Sequence, residues 1–535
     1  MSTGWPSLYA RLRSALRRRE VWGFALLALT VIAAYAPSLG GGFLDWDDPW
    51  LISENPIFRS PSARHLALIW TDLSESARLS LGAEYLPLRD TTVWLEAICD
   101  GLSPQAMRWV SLGCYLGALG FLRGALLRAL GASLGVELAL FVFALHPVHV
   151  ESVAWLAGRK DVLALLFVSA ALFVHAGQSK LRPFWVPLLL LCAHFSKAQS
   201  VIAVGLLVAH DLLAKRRLDA RVYGPALLSA ALAALVHMHV GRLVNMTTSP
   251  AGRTPWSALL TMGEVTTRYL RISVWPAWLS IVYDVPTRTR VTLGSLLGYG
   301  VLLAWLGIAL FAWRRWRAPL ALSAWLWFVV PLLPVSQVLF PLQNRMADRY
   351  LLFSVMSVAL LAGLAFDRWP LSAHRVRALA AFTLVGVLGV ATVGRSALFA
   401  SSAPLFADAT RKTVESATAP YVWGGALEAQ GDVAGAQRAY EEALRRPGAT
   451  EAARRATNNL ARSYARQGRD AEASALLVRG RRLWPNDPKI LYNLAKLAAR
   501  RHDDAETARL LAELHRRFPA YRPGQRSPED FYQAY

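Results

Sequence analysis

Long apolar stretches separated by short polar gaps dominate the first four hundred residues of the chain. They cover residues 21–39, 106–128, 133–147, 161–177, 183–195, 200–214, 222–241, 291–313, 318–334, 350–366 and 375–396. An upright helix needs about 20 apolar residues to cross a bilayer, and the shorter stretches are expected to end less sharply and to tilt. The pattern predicts an all-α membrane domain with about eleven transmembrane helices.

The polar gaps differ in the sign of their charge. Arginines and lysines precede the first stretch and fill the short gaps at Arg123 and Arg128, Lys180 and Arg182, Lys215 to Arg217, Arg314 to Arg317, and Arg368 to Arg377. Residues 40–105 instead contain ten acidic residues and four arginines, so the two kinds of gap belong on opposite faces of the membrane. The net charge of +22 therefore indicates topology and not nucleic-acid binding. Residues 1–20 are a basic, cytoplasmic N-terminus in this scheme.

Residues 21–400 form the predicted transmembrane domain, with two long loops on its outer face. The first loop, residues 40–105, begins with the acidic run Phe43 to Asp48 and contains a predicted helix at 61–70, opened by Ser60 and Pro61. The second loop, residues 242–290, has a helical pattern at 256–272 that is rich in Trp and Tyr. We expect this helix to lie in the membrane interface.

Residues 401–535 have a different composition, dominated by Ala, Arg, Glu and Gln in a helical pattern. Gly431 and Gly468 are each followed by small residues at matching positions, and prolines recur at Pro447, Pro485 and Pro519. Small residues where helices cross, with a proline after the second helix, are typical of tetratricopeptide repeats. The pattern predicts a C-terminal tetratricopeptide α-solenoid of two to three repeats. Eleven crossings from a cytoplasmic start place it on the outer side.

Polar residues at the ends of the apolar stretches are the candidates for chemistry. Under the predicted topology all of them emerge on the outer face, although they come from distant parts of the chain, and such convergence is how a site forms between helices. They are Asp47, Asp48, His146, His149, Glu151, Arg159, Asp161, Lys197, Gln199, Asp348, Arg349 and Tyr350.

Several of these residues have a structural interpretation as well. Arg159, Lys197 and Arg349 could be snorkelling side chains at helix ends. His146 and His149 have the spacing of a metal pair, but Pro147 interrupts the helix and no third ligand is evident, which favours a hydrogen-bonded structural role over a metal site. Asp161 could form a local ion pair with its neighbour Lys160.

Asp47 and Asp48 are more informative. Adjacent carboxylates near lipid repel each other and lose solvation, which favours a functional role. The three cysteines are far apart and provide neither a disulfide framework nor a zinc-site spacing. No cofactor is predicted, and a divalent metal requirement remains open.

One carboxylate together with several cations at a membrane surface suits a particular transfer reaction. A sugar on a polyprenyl phosphate carries a leaving group that needs no protonation, unlike the substrates of glycosidases. The remaining needs are a base for the acceptor hydroxyl and cations for the released phosphate. Asp47 fits the first role, and Arg or Lys side chains fit the second. Direct in-line attack inverts the anomeric centre.

Four motifs carry a resemblance to a known family. They are Trp46-Asp47-Asp48 with Asn55-Pro56, the run from His146 to Val153, the run from Gly158 to Leu163, and Ala347 to Tyr350. In this order they resemble the transmembrane and tetratricopeptide-repeat O-mannosyltransferases, which are GT-C fold glycosyltransferases that use a dolichol-linked mannose.

The resemblance implies a catalytic Asp47 with Asp48 beside it, and Arg349 near the lipid phosphate, with Lys197, Arg159 and Tyr350 as further donor-phosphate candidates. Ala198 replaces the acidic residue that the family has between Lys197 and Gln199. The short, arginine-rich chain indicates a bacterial protein of the inner membrane with a periplasmic outer face and a shorter polyprenyl carrier.

The leading hypothesis is thus a glycosyltransferase that moves mannose or another hexose from polyprenyl phosphate to a Ser or Thr hydroxyl of a protein. The repeats would recruit the acceptor protein, and the other partners are the lipid-linked donor and the bilayer. Two alternatives remain: an enzyme acting on a lipid or polysaccharide acceptor, and a non-catalytic membrane scaffold that displays the repeats.

Overall fold

A computed structural model describes residues 5–244, 254–337, 342, 344–448 and 450–523. In these ranges the chain is all-α and contains no β-strand, which confirms the predicted fold class. The chain divides into two compact units. The first comprises Met1–Leu279 and Val285–Ala400, and the second comprises Ser280–Asp284 and Ser401–Tyr535.

The first unit consists of long helices joined by short helical turns. Its α-helices are α1 (Trp5–Leu39), α2 (Pro56–Arg59), α3 (Ala63–Thr71), α4 (Glu75–Ser80), α5 (Pro87–Cys99), α6 (Pro104–Leu130), α7 (Leu134–Ala144), α8 (Val150–Ala154), α9 (Arg159–Ala176), α10 (Arg182–Ser196), α11 (Ala203–Leu213), α12 (Ala220–Leu243), α13 (Pro255–Val274), α14 (Leu293–Trp316), α15 (Leu320–Val329), α16 (Val355–Arg368) and α17 (His374–Leu398). A π-helical turn at Pro49–Ser53 and 3₁₀ turns at Pro147–His149, Ala198–Ile202, Val330–Leu332, Asp348–Leu351 and Leu371–Ala373 connect them.

Local sequence signals set where these helices begin. Ser103 caps α6 by accepting a hydrogen bond from the backbone N–H of Ala106, and Pro104 occupies the first helical position, where its missing N–H costs nothing. The helix predicted at 61–70 runs from Ala63 to Thr71. It starts later than predicted because the hydroxyl of Ser62 accepts the N–H of His65.

Each of the eleven apolar stretches contains an α-helix, but eleven membrane crossings are not confirmed. Among the described residues, five helices are long and apolar enough to cross by themselves, and a sixth crossing results if a pair bent by 43° counts as one. The five are Val21–Leu39, Pro104–Leu130, Ala220–Leu243, Leu293–Trp316 and His374–Leu398, and the bent pair is Leu134–Ala144 with Pro147–Ala154. Helices such as α11 and α15 have 11 and 10 residues and are only about 15–17 Å long, roughly half the hydrocarbon thickness.

The predicted helix at 256–272 is α13, which packs against α14. The two helices approach closely at Gly263 and Gly298, where a Cβ on Gly298 would lie 2.4 Å from the carbonyl oxygen of Gly263. Small residues allow such close helix packing in membrane proteins. The position of α13 in the membrane interface remains a prediction, and residues 245–253 of the predicted second loop lie outside the described residues.

The second unit contains α18 (Ser402–Lys412) and three helix pairs. The pairs are α19 (Thr418–Ala429) with α20 (Val433–Arg445), α21 (Glu451–Arg466) with α22 (Asp470–Leu483), and α23 (Pro488–Arg500) with α24 (Asp504–Arg517). Gly431 and Gly468 turn the chain inside the first two pairs with φ of 84° and 76°, and His502 does so in the third with φ of 57°. The predicted small residues are buried where the helices cross, among them Ala436, Ala443 and Ala473.

Candidate functional site

The segment from Glu151 to Asp161 connects the parts of the candidate site, and we call it the 151–161 segment. It contains most of α8, a tight turn and the start of α9. Gly158 makes the turn possible, because a Cβ there would lie 2.8 Å from the carbonyl oxygen of Glu151 and 3.1 Å from that of Trp155. The Gly-Arg-Lys-Asp motif thus folds tightly back on the end of the His-Pro-Val-His-Val-Glu motif.

Asp48 fastens the first loop to this segment. Its carboxylate is fully buried and accepts two backbone N–H groups, from Leu44 at 2.9 Å and from Ala157 at 3.0 Å. The buried guanidinium of Arg108 supports the same junction by donating to the carbonyl oxygens of Gly42 and Ala154, each at 2.6 Å. Asp48 therefore holds the acidic run in place.

Asp47 is placed differently from its neighbour. Its carbonyl oxygen accepts the N–H of Leu51 at 3.0 Å at the start of the π-helical turn, and its side chain is only half-buried. The two adjacent carboxylates thus differ in exposure. Only the Asp47 side chain is partly open to solvent, where an incoming hydroxyl could reach it.

Burial raises the pKa of Asp48 to about 7, although its two backbone hydrogen bonds and the charge of Arg108 oppose the shift. Between the unfolded pKa of about 3.9 and this value, the folded protein binds more protons than the unfolded chain. The free energy of unfolding should therefore fall as pH rises from about 4 to about 7, by up to about 1.4 kcal/mol per pH unit from this group. We expect Asp48→Asn to remove that part of the pH dependence, which denaturant unfolding at several pH values would measure.

Asp45→Asn is the matched control, because Asp45 is exposed in the same acidic run. The control should keep the slope of the wild type. An unchanged slope in Asp48→Asn would show that the Asp48 carboxylate does not titrate in this range.

Arg349 is held by Glu151 of the same segment. One guanidinium nitrogen pairs with Glu151 Oε1, and the backbone N–H of Arg349 donates to Glu151 Oε2 at 3.1 Å. The guanidinium carbon lies 5.5 Å from the ring centre of Trp155 and 5.4 Å from that of Tyr350. Burial alone would lower the pKa of Arg349, but Glu151 outweighs it and raises the pKa, so this cation stays charged. A guanidinium has five N–H donors and can bind a phosphate while it keeps its carboxylate partner.

Lys197 and Lys160 also form ion pairs with carboxylates. Lys197 Nζ lies 2.5 Å from Asp161 Oδ1, and Lys160 Nζ lies 2.5 Å from Glu84 Oε2. The local Lys160–Asp161 pair considered from the sequence is therefore not formed, because consecutive residues of a helix point in different directions. Burial would raise the pKa of Glu84, but Lys160, Arg89 and Lys197 outweigh it and lower the pKa to about 2.

These ion pairs form one group, which we call the paired-charge cluster. Its members are Glu84, Glu151, Lys160, Asp161, Lys197 and Arg349. Arg349 acts electrostatically on Lys197, and Asp161 acts on Arg349, so the pairs lie close enough to interact. Three carboxylates balance three cations, and the cluster unites sequence segments that are more than two hundred residues apart.

Three other predicted residues have their polar groups engaged elsewhere. Arg159 is 1% exposed, pairs with Glu96, and also donates to Ser111 Oγ at 3.2 Å and to the Met107 carbonyl at 2.6 Å. Asp348 is buried against Arg395, 3.1 Å away, and Gln199 donates to the carbonyl oxygen of Pro331 at 2.7 Å. These contacts link helices or loops to each other.

His146 and His149 connect separate parts of the chain through their rings. His146 Nε2 lies 3.2 Å from the Ser273 carbonyl oxygen, and His149 Nε2 lies 3.2 Å from that of Leu352. His149 Nδ1 lies 2.8 Å from the hydroxyl of Tyr115. Both rings therefore hold neighbouring backbone segments by hydrogen bonds.

Sequence reasoning missed Glu84, Trp155 and Arg108. Arg108 could have been identified from the sequence, since it is a charged residue inside the apolar stretch 106–128. Glu84 is one of ten acidic residues in its loop, and Trp155 is one of 20 tryptophans, so neither stood out.

Apolar helices of membrane-crossing length followed by helical repeats define this chain as a membrane protein with a tetratricopeptide domain. The tetratricopeptide repeat family matches residues 454–497. A protein O-mannosyl-transferase of Caenorhabditis elegans is 30% identical over 196 residues, which is 36% of this chain and 28% of that protein. Protein O-mannosyl-transferase TMTC1 of Homo sapiens is 28% identical over 205 residues, 35% of this chain and 23% of that protein.

The TMTC1 protein of Mus musculus matches similarly, with 30% identity over 205 residues. The chain thus spans about a quarter of the length of the curated relatives it matches. Relatives with this name and the repeat match confirm the resemblance to tetratricopeptide-containing O-mannosyltransferases.

Proposed function

We propose that this chain is a membrane glycosyltransferase of the GT-C type that transfers a hexose, most simply mannose, from a polyprenyl phosphate to a Ser or Thr hydroxyl of a protein. The names of its relatives support the sugar and the protein acceptor. We place the reaction on the periplasmic face of a bacterial inner membrane, where the predicted topology puts the first loop.

The observation that carries this proposal is the set of contacts made by the 151–161 segment. Within eleven residues it binds Asp48 through Ala157 and the cations of the paired-charge cluster through Glu151 and Asp161. The loop that carries Asp47 and the cations for a phosphate are thereby both attached to one short segment. Fixed geometry between a base and a charge-stabilising group is what a transfer reaction requires.

Asp47 accepts the proton of the acceptor hydroxyl in the proposed reaction. The hydroxyl oxygen attacks the anomeric carbon, the bond from that carbon to the phosphate oxygen breaks, and polyprenyl phosphate leaves with the bonding electrons. Arg349 binds the released phosphate, and Tyr350 and Trp155 flank the guanidinium. Lys197, which interacts electrostatically with Arg349, contributes further positive charge, while Asp48 and Arg159 position the surrounding loops.

Mass spectrometry of outer-face proteins tests this proposal in cells. A strain that lacks the chain should lose a hexose from specific Ser or Thr residues, and re-expression of the wild type should restore it. Loss of the hexose from a lipid or polysaccharide with unchanged proteins would support the second enzymatic class. No lost hexose in any fraction would favour the scaffold.

The repeats are proposed to present the acceptor protein, because stacked helical repeats form extended binding surfaces. We expect removal of residues 401–535 to lower transfer to protein at least tenfold more than it lowers hydrolysis of the lipid-linked donor. Both activities can be measured on the same membranes with a radiolabelled donor. Equal loss of both would count against a recruiting role.

A further inference from the structure

A second polar cluster lies apart from the candidate site, and the proposed reaction does not use it. It consists of His175 near the end of α9 together with His210 and Asp211 in α11, each about 1% exposed. His175 Nε2 lies 2.8 Å from Asp211 Oδ1, and His210 Nδ1 lies 4.0 Å from the same oxygen. One ligating atom from each residue falls within 4.8 Å of the others.

We infer that these three side chains bind one divalent transition-metal ion, with Zn²⁺ as the expected metal. Two imidazole nitrogens and one carboxylate oxygen are ligands that Zn²⁺ accepts readily. The three ligands leave a fourth coordination position for water or another oxygen.

The atoms around the cluster are arranged as the surroundings of a metal site usually are. His210 Nε2 lies 3.4 Å from the carbonyl oxygen of Ala125, so it is the nitrogen that donates, and Nδ1 keeps its lone pair toward Asp211. The hydroxyl of Tyr223 donates to Asp211 Oδ2 at 2.8 Å. Oδ1 accepts from His175 Nε2 at 2.8 Å, and this hydrogen bond would be replaced by bonds from both atoms to the ion. Outer hydrogen bonds of this kind fix the tautomer and orientation of metal ligands.

An unpartnered atom supplies a second, independent observation. His210 Nδ1 is buried and has no hydrogen-bond partner among the described residues. A buried polar atom without a partner is costly, and a metal ion would satisfy His210 Nδ1 directly. His175 binds through Nε2 once its proton moves to Nδ1, so the ring stays neutral and the site gains no net proton.

The cluster is distinct from the candidate site. His175 is sixteen residues after Arg159 in the same helix, which places the two about 24 Å apart along its axis. Under the predicted topology this end of α9 faces the cytoplasm.

Arg182 and Arg216 donate to the carbonyl oxygen of His175 at 3.3 and 2.9 Å and hold the helix end in place. The ion would join α9 to α11, and Tyr223 would extend the connection to α12.

Metal counting on the full-length chain tests the inference. The protein is purified in detergent, treated with a chelator, dialysed against Zn²⁺ and analysed by inductively coupled plasma mass spectrometry. We expect about one Zn²⁺ per wild-type chain, and a loss of that ion in Asp211→Asn and His210→Asn. His65→Asn is the control, since His65 lies in the first loop and binds the Ser60 carbonyl instead. The control should retain the ion.

A variant that keeps all three ligands separates weaker metal binding from misfolding of the protein. Tyr223→Phe keeps all three ligands and should weaken Zn²⁺ binding by about 10–100-fold in a competition titration. Co²⁺ added to the chelated wild type should give visible absorption bands that Asp211→Asn lacks. A wild type without stoichiometric Zn²⁺, or variants that bind the ion as well as the wild type does, would overturn the inference.

Discussion

Asp47→Asn should lower the rate of sugar transfer by about 10²–10⁴-fold, the usual contribution of a general base. The amide has nearly the shape of the carboxylate but cannot accept the hydroxyl proton at neutral pH. Asp47 is half-buried and lies just before the π-helical turn at Pro49–Ser53, so the variant should remain folded. The measurement is transfer from polyprenyl-phosphate mannose to an acceptor in membranes, with expression checked by immunoblot.

Asp45→Asn separates chemistry from the general charge of the acidic run. It removes one exposed carboxylate two residues away and should retain transfer within a few-fold of the wild type. If Asp47→Asn turns over normally, Asp47 is not the base and the proposed mechanism fails. If both variants lose activity equally, the loss reflects the charge of the loop.

Glu151→Gln should destabilise the protein by about 3–5 kcal/mol, because it leaves the Arg349 guanidinium in a buried place without its carboxylate. The Glu151 side chain is 1% exposed and the Arg349 side chain 13% exposed. The variant also weakens the acceptor for the backbone N–H of Arg349. Thermal unfolding in detergent should show a marked fall in the melting temperature.

The Lys160–Glu84 pair provides the matched control. Its side chains are 20% and 25% exposed, so water compensates more of the loss, and Glu84→Gln should cost less than Glu151→Gln even though Arg89 and Lys197 also lose the charge of Glu84. The double variant Glu151→Gln with Arg349→Gln should recover part of the stability, since no unpaired charge remains. Equal costs for the two single variants would contradict the role of burial.

Much of the fold follows from local sequence signals. Each apolar stretch is long enough to form helix, and caps such as Ser103 before Pro104 mark where a helix begins. The repeats were visible because Gly431 and Gly468 supply the positive φ of the turns. The third turn uses His502, so no glycine in the sequence marks its position.

Apolar length alone does not decide how many helices cross a membrane, because short helices such as α11 are apolar as well.

The candidate site could be predicted as a set of residues but not as a set of contacts. Polar residues at the ends of apolar stretches are conspicuous, and five of them lie in or beside the paired-charge cluster: Glu151, Asp161, Lys197, Arg349 and Tyr350. Arg159 was equally conspicuous, yet its donors are taken up by Glu96, Ser111 and Met107. The catalytic roles of the predicted site residues remain a proposal.

The sequence by itself determined the helical architecture, the repeats and the residue types available for chemistry, because these depend on periodicity and composition along the chain. Only the tertiary structure decided which carboxylate pairs with which cation. Asp161 meets Lys197 and not its neighbour Lys160, and Asp48 is buried while Asp47 is partly open. The physical reason is that ion pairing and burial depend on helix packing between distant segments, and the order of residues does not record it.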